Sequence, residues 1–306
     1  MYYLLPFRFK RINNKELLVN EVGDFLIVDN GTVDRIINKK IIQQEELYKD
    51  LIAFFFISET PIPNLIDNIA TRLRTKKSFL NNFTSLHIFV LTLRCNQNCI
   101  YCQASSKDQD LFRYDISKMN LSLAIDLMFK SPSPSITMEF QGGEPSLLPD
   151  LLRFAIEKTE LDNIKAQKEI TYVLCTNSID LNIDILNICK QYKVLISTSL
   201  DGPEFLHNYN RGKTTSYSQV IKGIQKAREY LGANQVSALM TTSEYSLNYP
   251  EQIIDSYIQN GFNSIFIRPL NPYGLAIENT NWDNYHEHFI DFYKKALDYI
   301  IEINKN

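Results

Sequence analysis

The sequence predicts an α/β fold in which strands and helices alternate from about residue 86 to the end of the chain. Six apolar, strand-like runs occupy this region: LHIFVLTL, SITMEF, ITYVLC, KVLISTSL, QVSALMT and NSIFIRPL. A stretch with helical spacing follows each run. This repeat predicts a parallel sheet that is curled into a partial barrel or left open. In either geometry a ligand site is expected beyond the carboxyl ends of the strands.

Residues 1–80 have a different pattern and are predicted to form a small α+β module with a winged-helix-like shape. The run ELLVNEVGDFLIVDN predicts two short strands around a turn at Gly23 and Asp24. Three helical stretches follow: GTVDRIINKK, QQEELYKDLIAFF and PNLIDNIATRLRT. We therefore divide the chain into this module and a larger domain of residues 81–306.

The composition is that of a globular protein, with 306 residues, 44% of them hydrophobic and 22% charged. A net charge of -3 gives no basic surface for nucleic acid. The longest apolar run, LIAFFFI, is too short to span a bilayer, and no secretory signal opens the chain. Five cysteines, with three clustered, favour a metal or redox centre over a disulfide framework. We expect a cytoplasmic protein without a nucleic-acid or membrane partner.

Three cysteines, Cys95, Cys99 and Cys102, follow the first predicted strand with the spacing C-x-x-x-C-x-x-C. A structural zinc site needs four ligands and usually takes thiolates in pairs, whereas Cys175 and Cys189 stand singly. An iron–sulfur cubane also normally takes four cysteines. Three thiolates leave one iron with a free position, which is typical of a catalytic centre. The alternative is a zinc site or another kind of thiol loop.

Polar motifs follow four other predicted strands, so the five loops are expected at one rim of the sheet. The motifs are QGGEP (141–145), TNS (176–178), SLDGP (199–203) and RPLNPYG (268–274). Each also has a plain structural explanation. GGEP and Asp201-Gly202 form turns in many proteins, Asn177 is a common helix cap, and Arg211 could be a solvated surface charge.

The cysteine motif, with Tyr101 directly before its third cysteine, resembles that of the radical S-adenosylmethionine enzymes. The resemblance implies a partial (β/α)6 TIM-type barrel. It also implies that Cys95, Cys99 and Cys102 bind one 4Fe–4S cluster, whose open iron is chelated by S-adenosyl-L-methionine. In that family, reductive cleavage of the cofactor yields a radical that abstracts hydrogen from a substrate.

The same resemblance, to the peptide- and protein-modifying (SPASM-type) branch of the family, implies which other residues contact the cofactor. The GGEP residues are expected at the methionyl amino group, Ser199 at the ribose and Arg211 at the carboxylate. Asp201 is expected to orient these groups or to lie on the ribose side. Tyr101 is a candidate wall for the adenine, and the alternative is a packed loop aromatic. No residue is assigned to the substrate chemistry itself. The implied cofactor-binding residues are Tyr101, Gly142, Gly143, Glu144, Thr176, Asn177, Ser199, Asp201 and Arg211.

A wider resemblance, including YYLLPFRFKR, SPSPSITMEFQGGEP and SIFIRPLNPYG, is to the radical maturases of the His-Xaa-Ser peptide-modification system. It implies a small precursor peptide with His-Xaa-Ser repeats, a second radical maturase, and an electron donor such as flavodoxin or ferredoxin. The amino-terminal module would then recognise the peptide by adding it as a strand to a sheet edge at residues 15–29. The alternative is that this module only caps the barrel.

Relatives of this kind usually continue into a cysteine-rich carboxyl-terminal domain with auxiliary iron–sulfur clusters. We expect that domain to be absent from this chain, because Cys175 and Cys189 cannot by themselves ligate a second cubane. Two alternatives share the rim motifs. One is a sulfatase-type maturase that oxidises Cys or Ser to formylglycine, and the other is a non-catalytic protein that presents peptides to an active enzyme.

Overall fold

A computed structural model describes residues 2–61 and 63–305. The chain divides into two compact units, Met1–Phe83 and Thr84–Asn306. The sequence prediction placed the boundary a few residues earlier, between residues 80 and 81. No described helix is both long and apolar enough to cross a membrane.

The first unit is an α+β structure with two small antiparallel sheets. Its strands are β1 (Tyr3–Leu4), β2 (Phe7–Ile12), β3 (Lys15–Asn20), β4 (Phe25–Asp29) and β5 (Ile57–Ser58). Its helices are α1 (Thr32–Ile37), α2 (Glu46–Ala53), α3 (Pro63–Lys76) and the 3-10 helix Ser78–Asn82.

The main sheet of this unit has the order β2-β3-β4, and a turn with Gly23 at positive φ joins β3 to β4. Glu16 ties the sheet to α1, because its buried carboxylate accepts hydrogen bonds from Val33 N at 2.8 Å and Arg11 Nε at 3.0 Å. Burial opposes ionisation of Glu16, but these donors outweigh it and lower its pKa. The carboxylate thus satisfies a backbone N–H in the first turn of the helix.

The predicted sheet edge at residues 15–29 is only partly correct. β3 is the central strand and pairs on both sides, so Lys15–Asn20 offers no free edge. Within the described residues β4 has one paired side only, which leaves Phe25–Asp29 as the edge. The sequence could not distinguish the two strands, because it gave no signal for β2 as a partner.

The second unit is an α/β structure built on a parallel sheet. Its strands are β6 (Leu86–Thr92), β7 (Ser135–Gly142), β8 (Glu169–Thr176), β9 (Leu195–Ser199) and β10 (Val236–Leu239). Its helices are α4 (Lys118–Met128), α5 (Pro149–Ala166), α6 (Ile183–Tyr192), α7 (Glu204–Arg211), α8 (Ser216–Leu231), α9 (Pro250–Gln259) and α10 (Trp282–Ile303). Its 3-10 helices are Phe112–Tyr114, Pro145–Leu147, Ala233–Gln235, Tyr245–Asn248 and Gly274–Ala276.

The five strands form one sheet in the order β10-β9-β8-β7-β6, and every pairing is parallel. This agrees with the predicted α/β class, but the sixth predicted strand, NSIFIRPL, does not form. In that segment the structure has a single bridge, between Thr242 and Pro269. Residues 263–268 pair with no strand in the described part of the chain, and Pro269 itself has no N–H to donate to a ladder.

The two faces of this sheet have different surroundings. Apolar side chains such as Phe89, Met138 and Leu174 point to one face and pack against the helices. Alternate residues such as Gln141, Cys175 and Ser197 line a cavity on the other face. The sheet therefore buries its helix-facing side and presents its polar side chains to the cavity.

We expect α4 to depend on a single buried face. Leu121 is fully buried against the sheet, whereas Leu123 on the same helix is 60% exposed. Leu121→Ala should lower the free energy of unfolding by about 2–5 kcal/mol, because it removes buried apolar volume and leaves a cavity. Leu123→Ala should change it by less than about 1 kcal/mol. Urea unfolding followed by circular dichroism measures both, and equal losses would contradict this account of the helix.

Candidate functional site

A cavity lies at the carboxyl ends of the parallel strands, in the second unit. Its volume is about 970 Å³ including the part open to solvent. All of the predicted site residues line it except Asp201, which is buried behind the wall. The predicted residues on the wall are Cys95, Cys99, Tyr101, Cys102, Gly142, Gly143, Glu144, Thr176, Asn177, Ser199 and Arg211.

The cysteine loop begins at the end of β6 and is held there by a partly buried ion pair. Arg94 Nε and Nη2 each lie 2.7 Å from an oxygen of Asp115, and Thr92 Oγ1 donates to the same carboxylate at 2.6 Å. Burial opposes ionisation of Asp115, but Arg94 and Thr92 outweigh it and lower its pKa. Cys95 therefore leaves the sheet from a rigid base.

The three clustered cysteines lie on one wall of the cavity. Cys99 is buried, and Cys95 and Cys102 are partly exposed. Burial raises the pKa of the Cys95 thiol to about 12, and the negative charges of Glu144 and of the two other cysteines add to the shift. Bound metal would displace these protons and relieve the repulsion among the thiolates.

The donor set fits an iron–sulfur cluster better than a single zinc ion. No group of three His, Cys, Asp or Glu side chains within the described ranges is arranged to hold one metal ion. Ligands of a cubane bind different irons, so their sulfurs lie farther apart than the ligands of one tetrahedral ion. Cys175 also lines the cavity. The charges that shift the pKa of its thiol are those of Glu139 and Arg268 and not those of the clustered cysteines.

The paired glycines after β7 allow two segments of the chain to pass very close to each other. Gly143 N donates to Thr92 O at 2.7 Å. A Cβ atom on Gly142 would lie 2.1 Å from Thr92 O, and one on Gly143 would lie 2.1 Å from Arg94 O. No side chain fits there. The structure shows that these glycines are needed to seat the cysteine loop, whereas their contact with the cofactor is what the resemblance implies.

Glu144 is completely buried and bonds to the end of β8. Its carboxylate accepts hydrogen bonds from Thr176 Oγ1 at 2.7 Å, Asn177 N at 2.8 Å and Ser146 N at 3.0 Å. Burial raises the pKa of Glu144, although these donors oppose the shift. The oxygens of this carboxylate are therefore engaged by the chain, and what faces the cavity is the turn that they stabilise.

Asp201 joins three parts of the site behind the cavity wall. Its carboxylate accepts bonds from Arg211 Nε at 2.9 Å and Nη2 at 3.0 Å, from Tyr101 Oη at 2.5 Å and from Thr241 N at 3.2 Å. Burial opposes ionisation, but Arg211 and the other donors lower the pKa of Asp201. Arg211 is itself buried, so it is not the solvated surface charge that was the alternative reading.

His207 is a structural residue, not a contact for a ligand. It is completely buried. Its Nδ1 accepts a bond from Asp201 N at 3.2 Å, and Nε2 lies 3.0 Å from Ser216 Oγ. Burial lowers the pKa of His207 to about 4, so the ring is neutral at physiological pH.

Sequence reasoning missed several residues of the cavity wall. Cys175 stood singly in the sequence and was not assigned to the site, yet it is partly exposed and points into the cavity. Ser197 also lines the wall, whereas Gln141 and Arg268 line it as members of the predicted rim motifs QGGEP and RPLNPYG. The signal was the alternation of the strands, because Cys175 shares the phase of Val173 and not that of the buried Leu174.

The model of the Radical SAM superfamily matches residues 89–257. The chain is 23% identical to the radical SAM cyclopropyl synthase TigE of Paramaledivibacter caminithermalis, over 94% of this chain and 60% of that protein. It is 27% identical to a cysteine-type anaerobic sulfatase-maturating enzyme of Clostridium novyi, over 44% of this chain and 38% of that enzyme.

Among solved structures, native anSMEcpe with bound AdoMet has a TM-score of 0.61 and 20% identity. That match covers 72% of this chain and 62% of the other. The same protein with AdoMet and the Cp18Cys peptide has a TM-score of 0.59. At this identity the likeness concerns the fold. The chain spans less than two thirds of TigE and of anSMEcpe.

We predict that His207 makes the unit sensitive to mild acid. Its pKa is lower in the folded chain than its ordinary value, so the unfolded chain binds more protons between pH 6.5 and about 4. Stability contributed by neutral His207 is complete above pH 6.5 and is lost as the pH falls through this window. The shift corresponds to about 3 kcal/mol at most.

Urea unfolding of the cluster-free protein at several pH values measures this effect. In His207→Gln the extra loss between pH 6.5 and 4 should disappear, while losses due to carboxylates below pH 4 should persist. Parallel pH profiles for the two proteins would show that His207 does not cause the sensitivity.

Proposed function

Because the chain belongs to the radical SAM superfamily, enzymes that use a 4Fe–4S cluster and S-adenosyl-L-methionine, we propose that it is a maturase of ribosomally made peptides. The proposed reaction is hydrogen abstraction from a peptide side chain or α-carbon, which leads to a crosslink or an epimerised centre. The observation that carries the proposal is the common cavity of Cys95, Cys99 and Cys102 at the carboxyl ends of the strands.

The residues of this chain have distinct parts in such a site. Cys95, Cys99 and Cys102 would hold the cluster, and the bound cofactor would supply the hydrogen-abstracting radical. The turn after β7 would border the methionyl amino group, Thr176 with Asn177 would border the cofactor, and Ser199 would face the ribose. The buried network around Asp201 would keep Tyr101 and Arg211 in fixed positions. The sheet and its helices shield the base of the cavity from water.

A peptide substrate is supported by the resemblance of the rim motifs to the peptide-modifying branch and by the likeness in fold to anSMEcpe, a structure of which holds AdoMet and the Cp18Cys peptide. The match to the Clostridium novyi sulfatase-maturating enzyme covers 44%, so a sulfatase-type activity is not favoured. We propose a precursor peptide with His-Xaa-Ser repeats as the substrate. A second radical maturase and a flavodoxin- or ferredoxin-like electron donor are the proposed partners.

The amino-terminal unit is the proposed peptide-recognition element. β4 is an edge of its antiparallel sheet within the described residues, so its backbone is available for an added strand. Phe25 and Ile27 on β4 are 58% and 63% exposed, and they point to the same face of the sheet. Exposed apolar side chains at alternate positions suit an extended peptide with apolar residues at a matching interval.

The first prediction for this function concerns iron and radical formation. Anaerobically reconstituted protein should bind about four irons and release 5′-deoxyadenosine when it is reduced with S-adenosylmethionine. Replacement of any one of Cys95, Cys99 and Cys102 by Ala should abolish release and lower the iron content. Iron analysis and mass spectrometry of the nucleoside measure both.

Cys189→Ala is the matched control, because Cys189 is buried in α6 and does not line the cavity. It should retain both properties. A triple-alanine variant that keeps its iron would overturn the ligand assignment. Full iron content without 5′-deoxyadenosine, together with normal peptide binding, would instead support the alternative of a non-catalytic peptide-presenting protein.

The second prediction concerns peptide capture at β4. Phe25→Asp and Ile27→Asp together should weaken binding of a fluorescent precursor peptide with His-Xaa-Ser repeats at least tenfold, because both place a charge on the proposed docking face. Ile37→Asp on α1, where Ile37 is 47% exposed, should leave the affinity unchanged. Fluorescence anisotropy measures the affinities. Unchanged binding by the double variant would exclude this edge.

A further inference from the structure

We propose that Arg211 raises the reduction potential of the cluster by donating a hydrogen bond from Nη1 to the sulfur of Cys99. This inference rests on the proposed cluster at the three cysteines, and it goes beyond the carboxylate-binding role that the family resemblance implies for Arg211. Arg211 would act as a positioning residue on a cluster ligand. Its Nη1 lies 3.6 Å from Cys99 Sγ.

The orientation of the guanidinium is fixed by its other nitrogens. Nε and Nη2 bind the two oxygens of Asp201 at 2.9 and 3.0 Å, and Asp201 is in turn held by Tyr101 Oη. The guanidinium also lies over the Tyr101 ring, with its central carbon 5.4 Å from the ring centroid. The guanidinium is planar, so once Nε and Nη2 are bound to Asp201 the direction of the Nη1 N–H groups is fixed as well. For Nη1 that direction is toward Cys99.

The distance between Arg211 and the cysteine loop is fixed by the main chain as well. Ile100 N, one residue after Cys99, donates to Asn210 O at 3.0 Å, one residue before Arg211. Gly212 at the end of α7 is in the left-handed conformation, and a Cβ on it would lie 2.7 Å from Asn98 O. The end of α7 therefore packs directly on the cysteine loop, so Arg211 and Cys99 cannot move independently.

A hydrogen bond from a buried cation to a cluster sulfur favours the reduced cluster. Reduction adds negative charge to the cluster, and part of that charge resides on the cysteine sulfurs. Hydrogen bonds to these sulfurs and the burial of the site are among the main determinants of cluster potential. Arg211 is buried, so solvent screens its charge only weakly. Asp201 offsets part of that charge, but it occupies the opposite edge of the guanidinium.

The three cysteines differ in this respect. Within the described residues, Cys102 Sγ accepts a bond from the backbone, Ser106 N at 3.4 Å, and no cationic side chain donates to Cys95 or Cys102. Cys99 is also the most deeply buried of the three. The structure thus gives one of the cluster ligands a cationic partner and leaves the other two with backbone donors or solvent.

The test is the midpoint potential of the reconstituted cluster without S-adenosylmethionine, measured by an anaerobic redox titration followed by electron paramagnetic resonance. Arg211→Gln should shift the potential to a more negative value. Arg268→Gln is the matched control, because Arg268 lines the same cavity but no hydrogen bond joins it to a cluster cysteine among the described residues. It should leave the potential unchanged.

The outcomes separate the two roles of Arg211. The inference would be overturned if Arg211→Gln kept the wild-type potential but bound S-adenosylmethionine more weakly. That result would support only the binding of the cofactor's carboxylate by Arg211. If Arg211→Gln fails to assemble a cluster, Arg211→Lys provides the comparison, because it keeps the positive charge and loses the fork. Its potential should lie below that of the wild type, and an equal potential would contradict a role for the oriented Nη1.

Failure of the proposed function would be recognised separately. The potential is measured without peptide and without turnover, so it requires only that the cluster assembles. A wild-type protein that assembles a cluster but makes no 5′-deoxyadenosine would refute the proposed activity and leave the comparison of potentials valid.

Discussion

The geometry of the site depends on the buried carboxylate of Asp201. It follows β9 and binds Arg211 from α7, Tyr101 from the cysteine loop and Thr241 from the segment after β10. Burying a carboxylate and a guanidinium costs desolvation free energy that their attraction only partly offsets, so this pair is weak evidence for stability. The effect of the pair is to hold Arg211 and Tyr101 in fixed positions. Loss of the carboxylate would leave Arg211 buried without a counter-charge and Tyr101 without its partner.

A second constraint acts where the ends of β6 and β7 meet. Gly142 and Gly143 let the two segments approach to a distance at which no Cβ fits. Glu144, the next residue, lines the cavity, and its carboxylate binds the end of β8. One short motif therefore fixes three neighbouring strand ends relative to one another. Gly142, Gly143 and Glu144 are therefore needed for the scaffold itself, apart from any contact with a cofactor.

The amino-terminal unit differs from the second unit in having an edge strand with exposed apolar side chains. Its antiparallel sheet keeps an edge strand, β4, with exposed apolar residues, whereas the parallel sheet of the second unit is covered by helices on one face. Exposed edges are usually blunted, because they invite pairing with other chains. An edge that retains Phe25 and Ile27 is consistent with a surface that pairs with a peptide.

The sequence by itself determined the α/β class, the parallel sheet and the set of loops that form the site, because hydrophobic periodicity and motif position depend on local residues. It identified Cys95, Cys99 and Cys102 by their spacing. Tertiary structure decided the rest. It left the sixth predicted strand unpaired except at Pro269, made β3 a central strand, placed Cys175 at the cavity and engaged Arg211 with Asp201. The strand pairings depend on contacts between residues far apart in the chain, which a local pattern does not encode.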